Sequence, residues 1–242
     1  LARPDGRAAE RTLAEVMAGV RAALDPLGVS LVGGHTTTGM ELQVGLAVTG
    51  ELAPGDALLG LAGLAPGDRL ILTKALGSGV VLAADMQGRA SGAWVEAAHA
   101  ALLRPNQAAS RVARELGARA CTDVSGFGLA HHLGTLLCAS RVGAALDAAA
   151  LPALPGAREL LASGLRSTFH AQNVAASQPL CDAFALEATP TALLFDPQTS
   201  GGLLFGVAEG RAEAALAALR EAGDTDAAAI GRVVAGSPRI AL

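Results

Sequence analysis

The sequence predicts an α+β fold in which a mixed sheet is covered by helices, and three observations carry that prediction. Short apolar runs of strand length alternate along the chain with helical patterns. Hydrophobic residues make up 51% of the 242 positions, enough for a sizeable core. Those residues are mostly Ala, Val and Leu in runs broken by charge, so the mean hydropathy of +0.42 is spread along the chain. No run approaches the roughly 18 uninterrupted apolar residues of a spanning helix, and no membrane association is expected.

Leu13, Val16, Met17, Val20 and Leu24 share one helical face, which predicts an amphipathic helix over residues 8–25 that stops near Gly28. Strands are expected at 30–32 and 41–52, on either side of the glycine- and hydroxyl-rich loop Leu31-Val-Gly-Gly-His-Thr-Thr-Thr-Gly39. Ala-Pro-Gly-Asp occurs at 53–56 and again at 65–68, around a Gly/Ala/Leu stretch suited to a connection. The domain boundary is placed there, giving domains 1–55 and 66–242.

The second domain opens with a strand at 69–73, followed by helices at 78–87, 92–103 and, with Pro105 at its start, 106–116. A strand through Ala120 delivers Asp123 to a turn, and 127–140 reads as the next helix. Strands at 142–146, 191–195, 202–207, 228–234 and 239–242 alternate with helices at 156–163 and 211–221.

Charge and cysteine usage exclude several function classes. The net charge of -4, from 18 basic and 22 acidic side chains, gives no basic field, so no nucleic acid partner is expected. Cys121, Cys138 and Cys181 are odd in number and lack C-x-x-C spacing, which indicates neither a disulfide framework nor a zinc site and fits a cytoplasmic location. The opening Leu-Ala-Arg-Pro-Asp-Gly has neither an initiator methionine nor a signal-peptide pattern, so the chain is expected to start in mid-protein.

Three polar turns interrupt the apolar runs. In Cys121-Thr-Asp-Val-Ser-Gly-Phe-Gly128 an aspartate ends a strand, and two glycines precede a helix. Asp123 there can hold a divalent cation, and glycine backbone can approach phosphate oxygens; an ordinary strand-to-helix turn with an N-cap accounts for the same residues equally well. The second turn is the 31–39 loop with Gly33, Gly34 and His35, which a tight turn with a solvated imidazole also explains. The third is Phe195-Asp-Pro-Gln-Thr-Ser-Gly-Gly202, whose Thr199 and Ser200 can donate to an anion but whose Asp-Pro and Gly-Gly are strong turn formers.

Lys74 precedes Gly77-Ser78-Gly79 but forms neither a P-loop nor a dinucleotide fingerprint, so it is expected to be a solvated lysine at a strand end. His131 and His132, about 100° apart on a helix, are expected to be structural.

These segments together resemble selenophosphate synthetase (selenide, water dikinase). Its superfamily also holds aminoimidazole ribonucleotide synthetase, thiamine-monophosphate kinase and a hydrogenase-maturation protein. The resemblance runs from about Gly28 to the C-terminus, and its most specific pair is the Cys121 and Asp196 motifs; where the family usually has proline, this chain has Ala75. It implies the C-terminal part of a two-domain aminoimidazole-ribonucleotide-synthetase-like fold, with residues 1–55 the end of an ATP-binding, dimerising domain. It implies ATP-dependent synthesis of selenophosphate from selenide, releasing AMP and phosphate, with Mg2+ held partly by Asp123.

Gly33, Gly34 and His35 would bind the nucleotide, from the neighbouring subunit of a homodimer. The family's catalytic cysteine or selenocysteine, a lysine and further aspartates belong to a segment not found here. Cys121 is therefore expected to be a buried strand cysteine, and this chain alone is expected to be inactive. The alternatives are a non-catalytic dimerisation or binding module and another ATP-using enzyme of the superfamily, such as thiamine-monophosphate kinase.

Overall fold

The computed structural model describes residues 2–3, 9–55, 58–181 and 189–242. Residue 8 of the expected first helix and Asp56 of the first Ala-Pro-Gly-Asp lie outside them. The chain divides into two compact units, Leu1–Leu58 and Leu59–Leu242.

In the first unit α1 (Ala9–Leu24) forms where the apolar spacing predicts it, and a 3-10 turn over Asp25–Leu27 ends at Gly28 with φ +66. The two-residue strands β1 (Ala2–Arg3) and β2 (Thr37–Thr38) pair in parallel. The strands expected at 30–32 and 41–52 are not observed; apart from a single bridge at Gln43, the second stretch forms no ladder among the described residues. Leu42, Val44, Leu46 and Val48 alternate as a strand would, yet all four are exposed. Alternation marks a face to be buried but supplies neither the backbone partner nor the covering layer that a strand also needs.

The second unit is a six-stranded mixed sheet with helices on both faces. Its strands are β3 (Arg69–Leu72), β4 (Ala120–Asp123), β5 (Gly143–Leu146), β6 (Leu203–Val207), β7 (Ala228–Val234) and β8 (Ile240–Ala241), in spatial order β4-β6-β3-β7-β5-β8. All neighbours are antiparallel except β5 and β8. The helices are α2 (Ser78–Met86), α3 (Gly92–Leu103), α4 (Gln107–Glu115), α5 (Gly128–Ser140), α6 (Ala157–Ala162), α7 (His170–Ser177) and α8 (Ala212–Glu221).

β3 shows why both faces are covered: Leu70 and Leu72 join one core, Ile71 the other, as the two-residue period of a strand requires. The larger core packs α2, α3, α5 and α6 on the sheet through residues such as Val80, Ala98, Leu133 and Leu161. The smaller uses Val112 of α4 and Leu216 and Leu219 of α8 over Ile71, Phe205 and Val207.

Two departures from expectation have physical causes. Residues 191–195 are not a strand; Thr189–Leu194 forms a 3-10 turn. Pro190 lacks an N–H, and Ala192, Leu193, Leu194 and Phe195 are all buried, so the run shows no alternation to separate strand from helical turn. α7 forms where no element is expected, because its buried positions are His170, Asn173 and Ser177, which give no apolar period.

Candidate functional site

The sheet topology gathers three of the singled-out segments. β6 lies between β3 and β4 and runs antiparallel to both, so the C-terminal ends of β3 and β4 and the N-terminal end of β6 share one end of the sheet. Asp123 stands opposite Leu203, and Leu72 opposite Leu204. The turn after β3 (73–79), the turn after β4 (123–128) and the turn before β6 (195–202) therefore meet.

Backbone and hydroxyl bonds sew the turns together. The Thr73 N–H donates to Leu203 O at 3.0 Å, and the Leu203 N–H returns to Thr73 Oγ1 at 2.8 Å. The Val124 N–H donates to Gly202 O at 2.9 Å and the Gln198 N–H to Ser125 O at 3.1 Å. Asn173 of α7 donates through Nδ2 to Gly126 O at 2.9 Å and to Phe195 O at 3.0 Å, tying the second turn to the third.

The Asp196 turn is a cap for α2. Gln198 Oε1 accepts the Gly77 N–H at 3.1 Å, the Ser78 N–H at 3.3 Å and the Ser78 hydroxyl at 3.1 Å. Asp196 Oδ2 accepts the Gly79 N–H and one Gln198 Nε2–H, each at 3.1 Å. The first N–H groups of a helix have no intrahelical acceptor, and here two side chains from a distant turn supply it. Asp196 is fully buried, and the desolvation of its carboxylate raises the pKa to about 7 despite these donors. The Thr199 N–H donates to Ser78 Oγ at 3.0 Å and Ser200 Oγ to Leu102 O at 2.8 Å, so this turn is engaged with the protein.

Lys74 departs from expectation: it is not solvated but 2% exposed. Its Nζ donates to Arg104 O at 2.6 Å and Ser200 O at 2.9 Å, and burial together with the Arg104 charge lowers its pKa to about 8. Two carbonyls at the convergence of the turns outweigh solvation for an ammonium whose stem lies among apolar groups. Arg104 pairs with Asp224 at 2.9 Å and Asp226 at 3.5 Å.

Asp123 stands exposed at the end of β4, and Gly126 is exposed beside it. The carboxylate does not cap the following helix; α5 has Phe127 at its N-cap, without a side-chain cap bond. His132, one turn into α5, holds the loop: its Nε2 accepts the Ser125 N–H at 3.1 Å and lies 3.1 Å from Ser125 Oγ. Burial lowers the His132 pKa, which keeps the ring a neutral acceptor. His131 stacks at 4.9 Å from Phe127 and does not join it in this role.

Cys121 is partly buried, with its pKa raised to about 12 by burial and by Asp123, an unreactive thiol. Sequence reasoning missed Asp196, Gln198, Asn173 and His132 as organisers. For Asp196 the available signal was an acidic residue directly after the buried run Leu193-Leu194-Phe195.

Among the described residues no three His, Cys, Asp or Glu side chains gather around one metal position. Asp123 alone fits what Mg2+ takes from a protein when phosphates and waters fill its other positions. In the first unit, Gly33, Gly34 and His35 line a cavity of about 470 Å³ together with Thr36 and apolar residues such as Val16, Met17 and Val20.

Comparison with known proteins agrees with this architecture. Residues 65–241 match the family model "AIR synthase related protein, C-terminal domain", and residues 1–52 match the corresponding N-terminal domain. The chain is 41% identical over 224 residues to a selenide, water dikinase of Nitratidesulfovibrio vulgaris strain Miyazaki F, covering 91% of this chain and 63% of the relative. It is 39% identical over 218 residues to that of Pelobacter propionicus, covering 86% and 60%. The chain thus spans less than two thirds of the length of these relatives.

Among solved structures, thiamine-monophosphate kinase from Stenotrophomonas maltophilia K279a superposes with a TM-score of 0.68 at 24% identity, over 99% of this chain and 70% of that one. Hydrogenase maturation protein HypE in complex with ATP gives 0.63 at 21% identity, over 97% and 63%. The fold is thus a known one, and the chain belongs to the AIR synthase-related protein family.

Proposed function

We propose that this chain is part of an enzyme that makes selenophosphate from selenide, ATP and water, releasing AMP and phosphate. The observation that carries this reading is the 41% identity over most of the chain to a selenide, water dikinase, with the Asp123 turn inside the shared region. The thiamine-monophosphate kinase reading has weaker support, since its 24% identity argues only for a shared fold.

In this reading Asp123 is the residue of this chain that would hold Mg2+, which when bound would neutralise charge on the transferring phosphoryl groups. The chain's own part is to hold Asp123 and the exposed Gly126 backbone rigidly, through His132, Asn173 and the Asp196 turn. Gly33, Gly34 and His35 contribute donors to the nucleotide, in a cytoplasmic homodimer with the site shared between subunits, and residues 1–55 belong to the ATP-binding domain. ATP binding by the fold neighbour HypE supports nucleotide use.

The test is to express the polypeptide encoded by the complete reading frame and supply MgATP with selenide under reducing conditions, following products by phosphorus NMR. Selenide-dependent appearance of AMP, phosphate and selenophosphate is expected. ATP consumption independent of selenide, or consumption of thiamine monophosphate instead, would overturn the assignment.

A further inference from the structure

A second charged concavity lies away from the three turns. Arg69 and Arg232 occupy directly opposed positions of the antiparallel β3–β7 pair, and Ala145 of β5 continues the same row. Opposed residues project to the same face with Cβ atoms about 5 Å apart, and like charges so placed repel. Neither guanidinium has a carboxylate or carbonyl partner among the described residues, whereas Arg104 and Arg119 of the same unit are both ion-paired. Both are permanently charged.

A β-bulge puts them together. The β3–β7 register shifts between Leu70 and Ile71, so that Leu70 faces Gly231 and Ile71 faces Ala229, leaving Ile230 as the extra residue. Ile230 is buried in the larger core while Ala229 packs on the smaller. Counted by strict alternation from Ala229, Arg232 would enter the larger core; the bulge turns it to the face of Arg69 instead. Gly231 makes this possible, since a Cβ there would collide with Ala145 O.

The two arginines line a cavity of about 270 Å³ with Ala145, Leu146, Asp147, Ala229 and Gly231. Arg69 is partly exposed and Arg232 exposed. Asp147 is the one acidic group in the lining, and its Oδ1 already accepts the Ala149 N–H at 2.9 Å. Asp123 lies at the other end of the sheet and on β4, three strands from β7.

We propose that Arg69 and Arg232 form a second anion site, for a phosphate-class oxyanion bound between two guanidinium forks. Planar guanidinium donors match phosphate oxygens in pairs, and a bound dianion removes the repulsion between the two cations. The source is either free inorganic phosphate or the phosphoryl group of a nucleotide.

The test uses the full chain with inorganic phosphate or AMP at constant ionic strength, chloride replacing the anion, read by calorimetry and by melting temperature. For the wild type, saturable phosphate binding is expected, with a dissociation constant on the order of 1 mM, together with a rise in melting temperature. Arg69→Gln and Arg232→Gln should each weaken binding by about 10-fold. Arg69→Lys, which keeps the charge and loses the fork, should fall between and guards against a folding artefact. Asp147→Asn should tighten binding, because it keeps the Ala149 cap and removes the opposing charge.

Asp123→Asn should leave phosphate binding unchanged, which separates this site from the nucleotide site proposed above. AMP binding that Arg232→Gln weakens as it weakens phosphate binding would identify a nucleotide source, and Arg232-dependent binding of phosphate alone the free ion. Equal binding by wild type and Arg232→Gln, or a wild-type response to phosphate no larger than to chloride, would overturn the proposal.

Discussion

Gly79 and Asp196, 117 positions apart, are joined by a backbone N–H that donates to a buried carboxylate at 3.1 Å. Through this bond and the contacts of Gln198, the turn that leads into β6 caps the helix that follows β3. The Gly77-Ser78-Gly79 segment therefore offers its N–H groups to the protein, whereas the loop after Asp123 is exposed at Gly126 and Phe127.

Stability should depend on Asp196 with a definite sign. Its folded pKa of about 7 lies above the ordinary aspartate value of about 4, so the folded state binds the extra proton between those values. The contribution is therefore fully present below about pH 4 and is lost as pH rises through 7, on the order of 4 kcal/mol. Asp196→Asn, which keeps an acceptor for Gly79, should remove this slope and be more stable than the wild type at pH 8, checked by urea unfolding across pH. Equal pH profiles would contradict it.

His170 should act in the opposite direction. Burial and the Arg166 charge lower its pKa to about 4, so stability is lost as pH falls from about 6.5 toward 4. His170→Gln should flatten the acid limb of the same curve. The two groups partly cancel between pH 4 and 6.5, so only the single variants expose each.

Gly201→Ala should destabilise the unit by about 2–4 kcal/mol, because a Cβ there collides with Val124 O where the second and third turns meet. Thermal unfolding checks this, and a loss below about 0.5 kcal/mol would show that the turns are less tightly joined than described.

These buried constraints mark where the sequence stopped being legible. The second unit could be read in outline because apolar periods identify faces: Leu70, Ile71 and Leu72 announce a doubly buried strand. Asp123 was identifiable as an acidic residue ending an apolar strand. Lys74 was misread because spacing cannot show that Arg104 O and Ser200 O would surround its ammonium. The period of α7 is hidden because its inward residues are polar, and 41–52 reads as a strand because alternation does not reveal a missing partner.

His132→Ala should loosen the Asp123 loop by removing the acceptor of the Ser125 N–H, at a cost of about 1 kcal/mol in stability. His132→Gln, which can offer an amide oxygen, should recover part of the loss. Because burial lowers the His132 pKa, the contribution persists at neutral pH and fades as pH falls below the ordinary histidine range. Nucleotide affinity measured alongside stability should fall further in His132→Ala than the unfolding loss alone explains.

The most direct measurement is a calorimetric titration of wild type and Asp123→Asn with ATP, with and without Mg2+. Asp123 is exposed at the strand end, so the substitution should leave the melting temperature essentially unchanged. Mg2+-dependent affinity should fall about 10- to 100-fold, while metal-free binding stays as it was. Indistinguishable MgATP binding by the two proteins would contradict the assignment of Asp123 as a metal ligand.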